Sequence, residues 1–223
     1  WIEAREHRNA DYYEFLNDPE VRTRITASLA QKQPILLPRD VDGKVLARQQ
    51  QDGSWTWNVH THTTGESPVL GVSWRDVAEY LQWRNTKAPQ YGPGWRYDLP
   101  TADEWEKAAR GVDGRHFPWG NRFDPALTVC LHHRAQYLLD APGGSEPRDA
   151  AVYGVLDLAG SREEWTGQRV PDRSANQTQA TYHKLGGSWS VAAEMVFRSA
   201  SRPFAGELRA AAQVGFRVVL RRQ

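Results

Sequence analysis

With 223 residues, 39% of them hydrophobic and 25% charged, the chain is long enough to bury a large core and has the composition of a soluble globular protein, which excludes a disordered tail or a fibrous repeat. Its 28 Lys plus Arg nearly cancel its 27 Asp plus Glu, so no global field pulls it onto nucleic acid or an anionic membrane, and Cys130, the only cysteine, excludes an intrachain disulfide. No apolar run approaches the roughly 20 residues that span a bilayer, and the opening WIEAREHRNA lacks a hydrophobic signal core, which argues against membrane insertion and favours the cytoplasm. A start at Trp1 rather than Met fits a piece of a longer polypeptide, and export signals or partner domains lying outside it are compatible with this reading.

In chain order, NADYYEFLND (Asn9 to Asp18) places Tyr12, Phe15 and Leu16 at helical spacing, with Asn9 or Asp11 able to cap the start. Gln31 to Pro68 is polar and turn-rich; Asp42-Gly43 and Asp52-Gly53 separate short apolar stretches, Lys44 to Leu46 and Trp55 to Val59, and predict hairpins or loops. Pro68 to Trp74 reads as a strand-like run, after which Ser73 caps a second helix with Val77, Leu81 and Trp74 or Ala78 facing inward. Leu99-Pro100-Thr101-Ala102-Asp103-Glu104-Trp105 contains a capping box in which Thr101 bonds the amide three residues on and Glu104 bonds back, so a third helix starts there and ends near Gly111. The following VDGRHFPWGNRFDP is an ordered loop pinned by Phe117 and Trp119, and Ala141 to Pro147 is a further loop. Short strand-like runs follow at Tyr153 to Leu158, Lys184 to Trp189 and Val214 to Leu220. With no internal repeat and no clear linker, one domain covering residues 1–223 is expected. The ten tryptophans need a structural explanation, because rings of that size serve as core packing or as binding surface.

Seven blocks occur in an order and spacing that resemble the formylglycine-generating enzyme (sulfatase-modifying factor) family. They are PVLGVSW (Pro68 to Trp74), LPTADEWEKAARG (Leu99 to Gly111), PWGNRFDP (Pro118 to Pro125), YGVLDLAGSREEW (Tyr153 to Trp165), GGSW (Gly186 to Trp189), RSASR (Arg198 to Arg202) and VGFRVV (Val214 to Val219). The resemblance implies an α+β fold, a C-type-lectin-like fold of the formylglycine-generating-enzyme type, with two main helices, a small twisted antiparallel sheet and extensive ordered loops. In that fold Trp74, Trp105, Trp119, Trp165 and Trp189 hold long loops in one conformation.

The family's enzymes place two cysteines after the GGS-aromatic motif to bind copper and activate oxygen, and here those positions fall at Val191 and Val196, neither of which can ligate a metal. The resemblance therefore implies a non-catalytic member, with Cys130 an inert core thiol. The family also resembles sulfoxide synthases with a three-histidine iron site. His60 with His62 and the adjacent His132 and His133 supply pairs without a third ligand at a defined spacing, so a non-cysteine metal-dependent oxidoreductase stands as the enzymatic alternative. Calcium-binding members use an Asn/Glu pair in GNxxEW. The corresponding segment reads Gly160-Ser161-Arg162-Glu163-Glu164-Trp165, which leaves Ser161 and Glu164 as candidate calcium ligands; no cofactor is required by the sequence.

The family's ligand-facing surface lies between GGSW and GFR. Here it offers Ser190, Val191, Ala192, Phe197, Ser201, Pro203, Phe204, Ala205, Glu207, Leu208, Ala210, Ala211 and Ala212, a shallow apolar patch bordered by Arg198, Arg202 and Arg209. Such a surface suits a protein or a small ligand. Two settings follow from resemblance. One is a variable protein of a diversity-generating retroelement, whose diversified codons fall between these motifs; the other is a sensor domain fused to a bacterial serine/threonine kinase, which would place a kinase domain in the same polypeptide outside these residues.

Overall fold

The computed structural model describes residues 1–57, 63–87, 92–133, 142–171 and 178–222. Helix α1 (Asn9–Leu16) begins where the sequence predicts, but neither Asn9 nor Asp11 caps it: Arg8 occupies the cap position, and its guanidinium takes the Asp11 carboxylate at 2.9 Å. A second helix, α2 (Pro19–Ala30), is absent from the sequence reading. Its signals are local, with Asp18 accepting from the Glu20 amide and Pro19 opening the first turn, where its missing N–H costs nothing.

Strands β1 (Ala47–Gln49) and β2 (Trp55–Trp57) form the predicted hairpin around Asp52-Gly53, and Arg39 pairs with Val45 around Asp42-Gly43. The run from Pro68 to Trp74 is no strand; Pro68 makes a single bridge to Arg8, and a positive φ at Gly71 turns the chain into α3 (Trp74–Thr86). Ser73 and Asp76 form that helix's capping box. Val77 and Leu81 face the core as predicted, and Tyr80, which the sequence reading missed, joins them. After β3 (Trp95–Asp98), α4 (Ala102–Arg110) starts on the Thr101–Glu104 capping box and stops at Gly111, as its sequence dictates.

The second half holds a four-stranded sheet in the order β6-β5-β4-β7, built from β4 (Glu163–Val170), β5 (Thr181–Leu185), β6 (Phe204–Gly206) and β7 (Val214–Phe216). Its pairings are antiparallel except for β4 with β7, which is parallel. Three strand expectations are corrected. Tyr153 to Leu158 contributes only a bridge between Ala150 and Leu156, because Gly154 and Asp157 both adopt positive φ. Lys184 to Trp189 leaves the sheet at Gly186, again through positive φ. Val214 to Leu220 divides between β7 and β8 (Val219–Arg222), and β8 pairs with β3 in a separate two-stranded sheet.

The main core joins α1, α2, α3 and the sheet through an aromatic cluster in which Tyr80 lies 5.4 Å from Tyr12, 5.6 Å from Phe15 and 5.7 Å from Phe216. Trp165 is fully buried there, its indole donating to the Val72 carbonyl at 2.9 Å. Trp105 anchors a second cluster under α4, and Phe117 and Phe197 form a third beneath the loops. Tryptophan thus fastens irregular backbone by donating its N–H as well as by burying area.

Candidate functional site

The surface between GGSW and GFR rests on a close approach of backbone to ring. A Cβ at Gly187 would lie 2.1 Å from Phe197 Cδ1 and 2.7 Å from the Ala159 carbonyl, so only glycine lets the loop cross that point. The Gly187 amide bonds the Ala159 carbonyl at 3.1 Å, the Trp189 amide bonds the Ser161 carbonyl at 3.0 Å, and the Leu131 amide bonds the Val191 carbonyl at 3.0 Å. Three segments of irregular chain, 128–133, 157–162 and 186–191, are thereby laced together. A short 3-10 turn, Glu194–Phe197, then sends Phe197 into the third core cluster against Phe123.

Beyond that turn the chain is pinned from two sides. Arg202 bonds Asp103 at 2.9 Å and also Glu106, both on α4, while Arg75 on α3 pairs with Glu207 at 3.1 Å. Beside the Arg75–Glu207 pair, Trp74 stacks on Tyr182 of β5 with centroids 3.7 Å apart. Along the sheet, Lys184 of β5 pairs with Glu163 of β4.

These constraints divide the predicted patch. Phe197, Ala205, Ala210 and Ala211 are buried, so they pack the core rather than face a ligand; Phe197 fills the space over Gly187, and Ala205 and Ala211 belong to the main core. Ser190, Val191, Ala192, Ser201, Pro203, Glu207 and Ala212 are half-buried, and Phe204 and Leu208 are exposed. Exposed Met195 (74%) and Leu131 (52%) were missed by the sequence reading. Leu131 reaches this surface from sixty residues upstream through its bond to Val191, a proximity no local pattern encodes.

Beneath the laced segments lies a buried set of charges. Arg217, fully buried, forks onto Glu164 with Nη2–Oε1 at 2.5 Å and Nε–Oε2 at 2.6 Å, and its remaining donors reach the Glu3 and Leu156 carbonyls. Burial opposes its charge, yet Glu164, with Glu6 and Asp157 beyond, holds its pKa above the ordinary guanidinium value. Trp105 donates to Glu164 Oε2 at 2.7 Å. Ser161 Oγ bonds Glu6 Oε2 at 3.1 Å, while Glu6 Oε1 has no partner; burial, then Asp157 and Glu164, push the Glu6 pKa well above the carboxylate range. Burial likewise raises Asp157 to about 6, against the Gly144 amide and Arg217, and raises Asp149, beside Asp157, to about 8.

Calcium does not fit the residues expected to hold it. Both oxygens of Glu164 are occupied by Arg217 and Trp105, and the Ser161 hydroxyl is turned to Glu6, so the pair presents no free carboxylate oxygen to a cation. Among the described residues no three His, Cys, Asp or Glu side chains gather in an arrangement that could hold a metal. His60 and His62 lie outside the described residues. His132 is exposed, and His133 turns Nδ1 toward the Thr128 carbonyl at 3.1 Å. Cys130 is buried, its thiol 3.8 Å from the Pro125 carbonyl. Val191 and Val196, where the resemblance leads one to expect the family's cysteines, pack against the Phe117–Phe197 cluster. No helix among the described residues is long and apolar enough to cross a membrane.

Comparison with known proteins bears on this geometry. Residues 1–222 match the family described as a sulfatase-modifying factor enzyme 1-like domain. An inactive C-alpha-formylglycine-generating enzyme 2 of Mus musculus is 38% identical over 109 residues, 45% of this chain and 32% of that protein; the Bos taurus protein of the same name is 34% identical over 132 residues, 56% and 39% respectively. The chain thus spans little more than a third of these relatives' length. Among solved structures, PvdO from Pseudomonas aeruginosa aligns over the whole chain and 80% of its own at 20% identity and TM-score 0.64. Treponema denticola variable protein 1 aligns over the whole chain and 84% of its own at 15% identity and TM-score 0.61. These likenesses establish the fold as the formylglycine-generating-enzyme type of C-type-lectin-like fold.

Proposed function

Since the chain belongs to the sulfatase-modifying factor enzyme 1-like domain family, and since the positions where that family's enzymes are expected to carry copper-binding cysteines are valines packed on an aromatic cluster, we propose that it is a binding module rather than an oxidase. Its ligand-facing surface is the half-buried and exposed part of the stretch between Ser190 and Ala212, Met195 included, extended by Leu131. The single observation that carries this reading is the environment of Val191 and Val196: the family's reactive position has become apolar packing that supports a rim of exposed Leu131 and Met195. Valine at 191 and 196 offers no thiolate to hold copper at the positions where the family's enzymes are expected to use one.

The likeness to a variable protein supports a diversified surface, because most of the half-buried and exposed residues, Ser190, Val191, Ala192, Ser201, Pro203, Phe204, Leu208 and Ala212, are types that substitution of asparagine codons at adenines can give. Two experiments test the reading. Incubation with a cysteine-containing sulfatase peptide and copper should give no formylglycine by mass spectrometry; conversion would overturn the non-catalytic assignment. Sister copies in the source genome that differ only between Ser190 and Gln213 would support diversification, and copies that vary evenly along the chain would refute it.

A further inference from the structure

Two of the ties between the ligand-facing segments converge on one buried carboxyl group, beside the direct bond from the Ser161 amide to the Val129 carbonyl at 3.0 Å. Asp149 Oδ2 accepts from the Thr128 hydroxyl at 2.6 Å and from the Ala159 amide at 3.3 Å, so it ties segment 128–133 to segment 157–162. Each tie continues to the surface: Ala159 holds Gly187 through its carbonyl, and Leu131, three residues beyond Thr128, holds Val191. Asp149 is 1% exposed, and its second oxygen, Oδ1, is buried with no partner. A buried carboxylate with an unpartnered oxygen is costly, whereas a neutral carboxyl group places its proton on that atom at much smaller cost.

The surrounding charges point the same way. Glu6, Asp149, Asp157 and Glu164 share the interior with two guanidiniums, Arg162 and Arg217, so full ionisation leaves an excess of negative charge in a site closed to water. Asp157 and Arg217 act on Asp149 with opposite sign, and Arg217 is already committed to Glu164. On the segment of Asp149 itself, Glu146 is paired with Arg148; on the clamped segment Cys130 is buried, His132 is exposed and the ring of His133 contacts the Thr128 carbonyl.

We propose that Asp149 is a protonation-controlled clamp beneath the candidate binding face: neutral, it holds segment 128–133 against 157–162 and the GGSW loop; ionised, it lets them separate. The inference rests on the binding-face reading, for which it supplies the regulation. Its direction follows from linkage. Burial raises the closed-state pKa of Asp149 to about 8, whereas in an opened, solvated segment the group titrates as an ordinary carboxyl near ~4, so closure is strongest in acid, weakens as pH rises, and levels off above about 8.

Hydrogen–deuterium exchange of the wild-type chain, corrected for intrinsic exchange rates, tests this without any ligand. Protection of peptides covering 128–133 and 186–191 should fall by about tenfold per pH unit between about 5.5 and 8 and then level off, and should lie below that of α3 at every pH, because α3 exchanges only through global unfolding. Asp149→Asn should flatten the profile and His133→Gln should leave it intact. Thr128→Val removes a bond that favours the ionised form and should move the plateau to higher pH. A flat wild-type profile, a slope retained in Asp149→Asn, or a plateau unmoved in Thr128→Val overturns the clamp. If Asp149→Asn does not fold, the wild-type and Thr128→Val profiles decide. A catalytically active chain with a working clamp would instead refute the binding-module reading alone, so the two failures are separable.

Discussion

Replacing Glu164 by Gln tests the assignment of that residue to an internal ion pair rather than to calcium. The side chain keeps its shape, but fully buried Arg217 loses the charge that both of its forked bonds reach at 2.5 and 2.6 Å, and Trp105 loses an ionised acceptor. Breaking a buried pair from one side leaves an uncompensated charge and costs about 3–5 kcal/mol. For a chain of this length each kcal/mol lowers Tm by about 2–4 °C, so a fall of roughly 6–20 °C is expected by calorimetry. Glu164→Gln/Arg217→Met should recover part of the loss, because the stranded guanidinium is gone. Millimolar calcium should leave the melting of the wild-type chain unchanged. A loss below about 1 kcal/mol in Glu164→Gln would contradict a desolvated fork. Calcium stabilisation of the wild-type chain that disappears in the variant would make Glu164 a cation ligand and refute the reasoning.

Phe197→Ala should cost about 3–5 kcal/mol in urea unfolding, as expected of a core ring and not of a ligand contact, since the side chain is fully buried against Phe123 and Gly187. Gly187→Ala should destabilise by at least about 1–3 kcal/mol, and Phe197→Leu should relieve part of that loss, because the added Cβ meets the ring at 2.1 Å. Met195→Glu and Leu208→Glu should each stay within about 0.5 kcal/mol of wild type, which distinguishes exposed rim from core. Global stability carries a pH signature as well: Asp157 and Asp149 have folded pKa values raised to about 6 and about 8, so their contribution is complete below ~4 and is lost as pH rises through those values. Urea midpoints should therefore decline from pH 5 to pH 8, and less steeply in Asp149→Asn.

Helix starts were readable because their signals are local. Ser73 with Asp76 and Thr101 with Glu104 satisfy amides three residues away, and the structure forms both boxes. The hairpin at Asp52-Gly53 is equally local. Helix α2 carries an equally local signal in Asp18-Pro19, but its buried apolar residues are only Val21 and Ile25, too few to mark a helix by period. The seven motif blocks carried the fold because they fix long-range partners as a set; no single block does so.

The candidate site was legible only in outline. The resemblance to the family implied a ligand-facing surface between Ser190 and Ala212, but not which alanines and which phenylalanine turn inward. That choice depends on Gly187 yielding space to Phe197 and on β6 lying against β5. Arg217 stood in the sequence as a charge inside an apolar strand run, the one visible sign of a buried ion pair, and its partner Glu164 lies 53 residues earlier. By itself the sequence determined the capping boxes of α3 and α4, hairpin turns and the family's loop framework, all of which depend on neighbours a few residues apart or on whole motifs. Tertiary structure alone decided burial and protonation, because desolvation and unpaired oxygens exist only once distant segments close over Glu6, Asp149 and Asp157.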